Sequence, residues 1–254
     1  TDTASTLSLQ NGPSGIGAVR LQEDTVIEHD ARWMRGWRLS ASDLTGTATF
    51  ERGSDSLTIY TANRRPLEEL FGVDLIYLNE LRGSIVMVQY KMMEPEPRTR
   101  RKIQEGAFNF FEYDDQEWTV PIDNNFLDEI RRMEIFDKST PHSGDYRLNA
   151  SAFFIKLVKR YGANPSTGIV LSLGHLKHLM DSPTSKGARG GLRVSYQALD
   201  GHYVRTGPFI DLIRSGYIGS TGATTTHLKT LTEATLRGGR AVVAALQTRL
   251  PSKP

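Results

Sequence analysis

The chain contains no cysteine, so neither disulfide staples nor thiolate metal centres are open to it, and zinc ribbons and fingers are excluded. It also lacks any run approaching the roughly 20 apolar residues needed to span a bilayer. Its start, TDTASTLSLQNGPSGIG, has neither the basic flank nor the apolar core of a secretory signal. Net charge is scarce too. With 31 Lys and Arg against 29 Asp and Glu, a formal +2 gives no general attraction for a polyanion, so any nucleic-acid contact has to come from a local patch. Internal repeats, heptads and low-complexity tracts are missing. What is there is 254 residues with 38% hydrophobic content, enough to bury a sizeable core. The expectation is a soluble, cytoplasmic, globular protein with no membrane partner.

Residues 1–17, rich in Ser, Thr and Gly, have too little apolar surface to offset the entropy of ordering and read as a flexible arm. From Val19 to Phe50 the pattern is mixed, and Leu57 to Thr61 is a β-branched and aromatic strand candidate. PLEELFG opens on Pro66 and stops at Gly72, which suits a short helical turn. Val73 to Leu78 and Ser84 to Lys91 read as two strands joined by the reversing loop NELRG. The prolines and the basic run PRTRRK between Glu94 and Lys102 predict an exposed loop. Phe126, Leu127, Ile130, Met133 and Ile135 recur at helical spacing, so Asp123 to Phe136 is an amphipathic helix.

Beyond Ser139, TPHSGD reads as a turn-rich connection, Ala152 to Val158 and Ile169 to Met180 as long apolar runs, and DSPTSKGARGG as a mobile loop. Leu192 to Ala198 is a strand candidate. PFIDLIRSG is a short helix candidate, TTTHLKTLTEATLRGG a capped helix with a glycine stop, and AVVAAL a buried strand or helix end.

The Ser84 to Lys91 strand carries the anomaly. Ile85, Met87, Gln89 and Lys91 share one face, Val86, Val88 and Tyr90 the other. A strand apolar on both faces is a covered, central strand, and an ammonium there needs an opposite charge. Asp74, opening the neighbouring strand, is the expected partner for Lys91. An acid, an amide carbonyl and an ammonium side by side are the parts that phosphodiester hydrolysis uses: oxygen ligands for a hard cation, and positive charge beside the attacked phosphate.

With these residues in place, GVDLIYLNELRGSIVMVQYK resembles the PD-(D/E)XK nuclease superfamily, whose signature is an Asp opening one strand and (D/E/Q)-x-Lys near the end of the next. Gln in the place of the second acid, after Gly-Val-Asp, is similar to the Mrr-like restriction endonuclease branch. The likeness covers Pro66 to Lys91. It implies an α/β (α+β) fold with a restriction-endonuclease-like mixed central sheet flanked by helices. The nuclease-like core would span 18–138, with 139–254 a C-terminal α/β half packed on it.

Carried over, the resemblance implies that Asp74 ligates Mg²⁺ or Mn²⁺, that Gln89 ligates it or orients its water, and that Lys91 positions the nucleophile and stabilises developing charge. A further Glu from an upstream helix is expected, with Glu28 favoured over Glu68 and Glu69. The implied activity is endonucleolytic cleavage of DNA, in bacterial restriction or phage defence. A homo-oligomer or partner protein would supply target recognition. The alternative is a non-catalytic nucleic-acid-binding or assembly module built on a degenerate nuclease fold. Arg98, Arg100, Arg101 and Lys102, just after the Lys91 strand, are the candidate nucleic-acid contacts.

Other motifs read as structure. His175 and His178 lack the Glu of an HExxH site, Gly219 to His227 lacks a P-loop ending, and Phe110, Phe111, Tyr113 and Trp118 suit a core as well as a stacking platform.

Overall fold

The computed structural model describes residues 22–32, 34, 36–42, 47–53, 55–62, 66–96, 101–105, 108–112, 118–138, 145–161, 168–187 and 190–236. The expected arm (1–17), most of TPHSGD, AVVAAL, Arg98 and Arg100 lie outside them.

The chain opens with helix α1 (Glu23–Arg32), followed by β1 (Arg38–Ser42), β2 (Thr47–Arg52) and β3 (Asp55–Thr61). Helix α2 (Pro66–Phe71) leads into β4 (Leu75–Asn79) and β5 (Ser84–Pro95). Then come β6 (Arg101–Glu105), β7 (Phe108–Glu112), β8 (Trp118–Pro121), α3 (Asn124–Phe136), β9 (Phe153–Lys159), β10 (Ile169–Ser172) and α4 (Leu173–Met180). A 3₁₀ turn at Pro183–Ser185 precedes β11 (Arg193–Ser195), α5 (Tyr196–Leu199), β12 (Val204–Arg205), α6 (Thr206–Ser215) and α7 (Gly222–Leu236).

Ten strands form one mixed sheet whose main path runs β1-β2-β3-β4-β5-β9-β10-β12, while β8 joins the end of β5 and carries β11. All pairs along it are antiparallel except β5 with β9, which is parallel and is reached by the crossover through β6 to α3. The strands from β3 to β10 are covered on both faces. On one side Ile76, Leu78, Ile85, Met87, Phe153 and Ile155 pack with Phe126, Ile130 and Met133 of α3, Leu176 of α4 and Leu228 of α7. On the other, Leu75, Tyr77, Val86, Val88, Tyr90 and Phe154 pack with Val26 and Ile27 of α1 and Phe209 and Ile213 of α6. This is the expected α+β arrangement, a mixed sheet between helical layers. Among the described residues no helix is long and apolar enough to cross a membrane.

The boundary expected near residue 138 falls inside this sheet: β9 lies beside β5 from Met87↔Phe153 to Met93↔Lys159, so the two halves share one core. The strand over Ser84–Lys91 runs on to Pro95, because β8 takes up the ladder at Glu94↔Thr119 and Pro95↔Trp118. The loop expected over Glu94–Lys102 is therefore corrected at both ends, Arg101 and Lys102 being strand residues of the β6–β7 hairpin. DSPTSKGARGG is likewise structured in part: Ser182 caps the 3₁₀ turn, and Lys186 bridges to Leu192. Leu192 to Ala198 is strand only to Ser195, whose hydroxyl accepts from Ala198 N–H and starts α5.

Candidate active site

Asp74 stands where β4 begins, and local chemistry keeps it there. Gly72, at φ 71°, ends α2 in a left-handed conformation, and a Cβ at that position would meet the Glu129 backbone. Asp74 N–H then donates to Val88 O at 2.9 Å, and the Asp74 carboxylate accepts from Tyr90 N–H at 2.7 Å. The side chain thus takes over from the β4 backbone as the acceptor for the next β5 amide, and the ladder opens beyond it. Leu75 pairs with Val88 and Ile76 with Met87, but Asp74 N–H reaches that same Val88 carbonyl, so the register shifts at Asp74; Gln89, next along β5, is on the α3 side of the sheet. Lys91 follows on that face. Asp74 thus stands at the point where β5 continues without β4 beside it, bonded to the Tyr90 N–H between Gln89 and Lys91 and within electrostatic reach of Lys91.

Lys91 does not pair with Asp74 as expected. Its ammonium lies 2.7 Å from Glu129 of α3 and 4.9 Å from the Phe126 ring centroid, with 19% of the side chain exposed. An acid on a packed helix is the nearer counter-charge, because Asp74 is turned to the Tyr90 amide. Gln89 is buried; its amide N–H donates to Tyr90 O at 3.3 Å, while its Oε1 accepts no hydrogen bond from the protein.

Glu28 also differs from expectation. It is exposed on α1 and paired with Arg32 at 2.9 Å, one helical turn away. The acid of α1 that reaches the site is Glu23, about 140° round the helix from Glu28. Glu23 interacts electrostatically with Lys91, Glu129 and Asp74. Glu68 is half-buried and adds its charge to Asp74 and Glu129, whereas Glu69 is exposed.

The result is an acid-rich site with few cations. Burial pushes Asp74 well above the ordinary carboxylate range; the Tyr90 amide opposes this, while Glu23 and Glu68 add to it. Burial also raises Glu23 and Glu129, against the pull of Lys91 on each. Carboxylates held this way favour a bound proton or an added cation. Among the described residues no three His, Cys, Asp or Glu side chains converge on one point. A divalent ion here would rest on two acids, Asp74 and Glu23, and on the unsatisfied oxygen of Gln89. Hard oxygen donors of this kind fit Mg²⁺ or Mn²⁺.

Lys102 is exposed on β6. His175 is half-buried and His178 exposed, with no metal group between them. The Gly219–His227 stretch is structural: Ser220 Oγ accepts from Ile85 N–H and shares a hydrogen bond with Thr225, tying the start of α7 to β5. Trp118 is core.

Sequence reasoning passed over a second charged group on the opposite face of the sheet. Lys156 of β9, 2% exposed, forms an ion pair with Asp30 of α1, which also accepts from the Tyr90 hydroxyl at 2.7 Å. Tyr77 hydrogen-bonds Tyr90 in turn. Burial alone would raise Asp30, but the hydrogen bond from His29, the charge of Lys156 and the hydrogen bonds from Lys156 and Tyr90 outweigh it and hold the acid below its ordinary range. The available signal was Lys156, set between apolar residues inside FFIKLVK, whereas Lys159 ends the run.

Comparison of the chain with protein-family models, with curated proteins and with solved structures gives no match.

Proposed function

We propose that this protein is a metal-dependent nuclease that hydrolyses phosphodiester bonds in DNA, centred on Asp74, Gln89 and Lys91, with Glu23 in the role expected of Glu28. The supporting observation is the Asp74 carboxylate held by the Tyr90 N–H, between Gln89 and Lys91 in β5, with Lys91 acting on it electrostatically and a surplus of acid around it. Asp74, Glu23 and Gln89 are the residues that would hold Mg²⁺ or Mn²⁺, and the ion when bound polarises the phosphoryl oxygen and lowers the pKa of a water molecule. Tyr90 N–H fixes the Asp74 carboxylate. Glu129 holds the Lys91 ammonium in place, where it would stabilise charge developing on the phosphate. Arg98, Arg100, Arg101 and Lys102 belong to the reading as backbone contacts, and restriction or phage defence as its setting, with a second copy or a partner protein supplying target recognition.

The test is incubation of the protein with plasmid, linear and single-stranded DNA and with RNA, in Mg²⁺, Mn²⁺ or EDTA. DNA cleavage is expected with either ion, none in EDTA, and none by Lys91→Ala or Asp74→Ala variants that retain the wild-type circular-dichroism spectrum. Equal cleavage by wild type and Lys91→Ala would remove the proposed centre.

The Glu129 contact to Lys91 and the neutral Gln89 favour a second reading, a nucleic-acid-binding module without turnover. It predicts salt-dependent DNA binding with no cleavage in any cation. Neutralising Arg98, Arg100, Arg101 and Lys102 would then flatten the salt slope.

A further inference from the structure

We propose that the cavity on the α1 side of the sheet binds a neutral, flat heteroaromatic molecule of the nucleobase or nucleoside class. It encloses about 590 Å³ between the end of α1, β2, β4 and the start of α6, within the size range of small-molecule sites. The Asp74 site faces the other side of the sheet, so this proposal stands independently of the nuclease reading.

The cavity floor is polar and the walls are apolar. Asp30 and Tyr77 line the floor, Met34, Trp37 and Ile210 the walls, and Arg52 the rim. Asp30 Oδ2 is already taken by Lys156 and by the Tyr90 hydroxyl, while Oδ1 has a 3.3 Å contact with His29. Gly168 leaves room for the lysine stem, since a Cβ there would overlap Lys156 Cε. Burying an ion pair is expensive, and apolar residues of similar volume would fill the same space at least as stably. What Lys156 secures is an ionised carboxylate beneath an apolar chamber, with its charge balanced from behind.

That arrangement selects a ligand. The lining carboxylates of Asp30 and Asp211 are offset by Arg52 and by the buried Lys156, so no net field favours a strongly charged molecule. The Asp30 carboxylate accepts hydrogen bonds only, and the Tyr77 hydroxyl, its proton engaged by Tyr90, can accept one. Half-buried Trp37, with Met34 and Ile210, offers a face for a ring. A nucleobase has both an N–H edge for Asp30 and a π-face for Trp37.

The experiment is calorimetric titration of the full chain with the four deoxynucleosides, their 5′-monophosphates and tryptamine. One deoxynucleoside at least is expected to bind with one-to-one stoichiometry, more tightly than its monophosphate or tryptamine. Trp37→Ala is expected to weaken it about tenfold. Gly207→Phe, placed where a Cβ meets nothing within 4 Å, would fill the cavity and abolish binding. Three outcomes would overturn the proposal: no saturable heat with any deoxynucleoside, tighter binding of the monophosphates or tryptamine, or unchanged affinity in Trp37→Ala. The last is readable even if Gly207→Phe fails to fold.

Discussion

Two lysines on neighbouring strands of one sheet, Lys91 on β5 and Lys156 on β9, meet their acids under opposite conditions. Lys156 is sealed, 2% exposed, against an Asp30 held ionised by three hydrogen bonds and by the lysine's own charge. Lys91 is 19% exposed and faces Glu129, whose carboxyl burial has raised, with Glu23, Glu68 and Asp74 close by. The first group is balanced in charge and its lysine is closed off, Asp30 alone of the pair lining the α1-side cavity. The second has more acid than base and an edge open to solvent, so it can exchange a proton, an ion or a partner without unfolding. Burial depth and charge balance, rather than the presence of a Lys–carboxylate pair, distinguish a structural centre from a candidate reactive one.

The contrast breaks most visibly at Lys156. Lys156→Met strands the Asp30 charge and is expected to cost about 3–5 kcal/mol in urea unfolding, most of it recovered in the double variant with Asp30→Leu. Lys91→Met should cost only about 1–2 kcal/mol, since Glu129 can take a proton or turn to water. Similar losses at the two sites would cancel the distinction.

Asp74→Asn sharpens it through pH. Because its folded pKa lies above the ordinary value of 3.8, Asp74 contributes stability that is full below that pH and is lost as pH rises through the folded value. The Asn variant keeps an acceptor for Tyr90 N–H without the buried charge. It should be more stable than wild type at neutral pH, on the order of 1 kcal/mol. The gap should shrink toward acid when urea midpoints are compared across pH.

The smallest effect belongs to Glu28. Its exposed pair with Arg32 is worth no more than about 0.5 kcal/mol, so Glu28→Ala should leave both the melting temperature and any DNA cleavage unchanged. Glu23→Gln, one and a half turns earlier in α1, should stop cleavage.

Local chemistry made part of this legible before any coordinates. Asp123 caps α3 by accepting from Phe126 N–H, Pro66 opens α2, and β4 and β5 pair as the expected hairpin, from Leu75↔Val88 to Asn79↔Ser84. What stayed hidden depended on distant partners. The continuation of β5 to Pro95 requires β8, and Pro95 looked like a breaker until Trp118 stood opposite it. The parallel β5–β9 pair joins residues more than sixty apart, with no turn signal between them. Helix α1 was obscured by its charges, although Val26, Ile27, Asp30 and Ala31 share its buried side. Glu129 carried no signal of its own within α3, and only packing shows that it faces Lys91 rather than water.

The account rests most heavily on Asp74 as a ligand in an acid-rich, cation-seeking site, and calorimetric titration of Mn²⁺ into wild type and Asp74→Asn at neutral pH tests that directly. One ion is expected to bind wild type, and to bind the folded variant at least about tenfold more weakly, through loss of a charged oxygen ligand. Equal Mn²⁺ affinity in the two proteins would contradict the account, because the charge at Asp74 would then play no part in holding the ion.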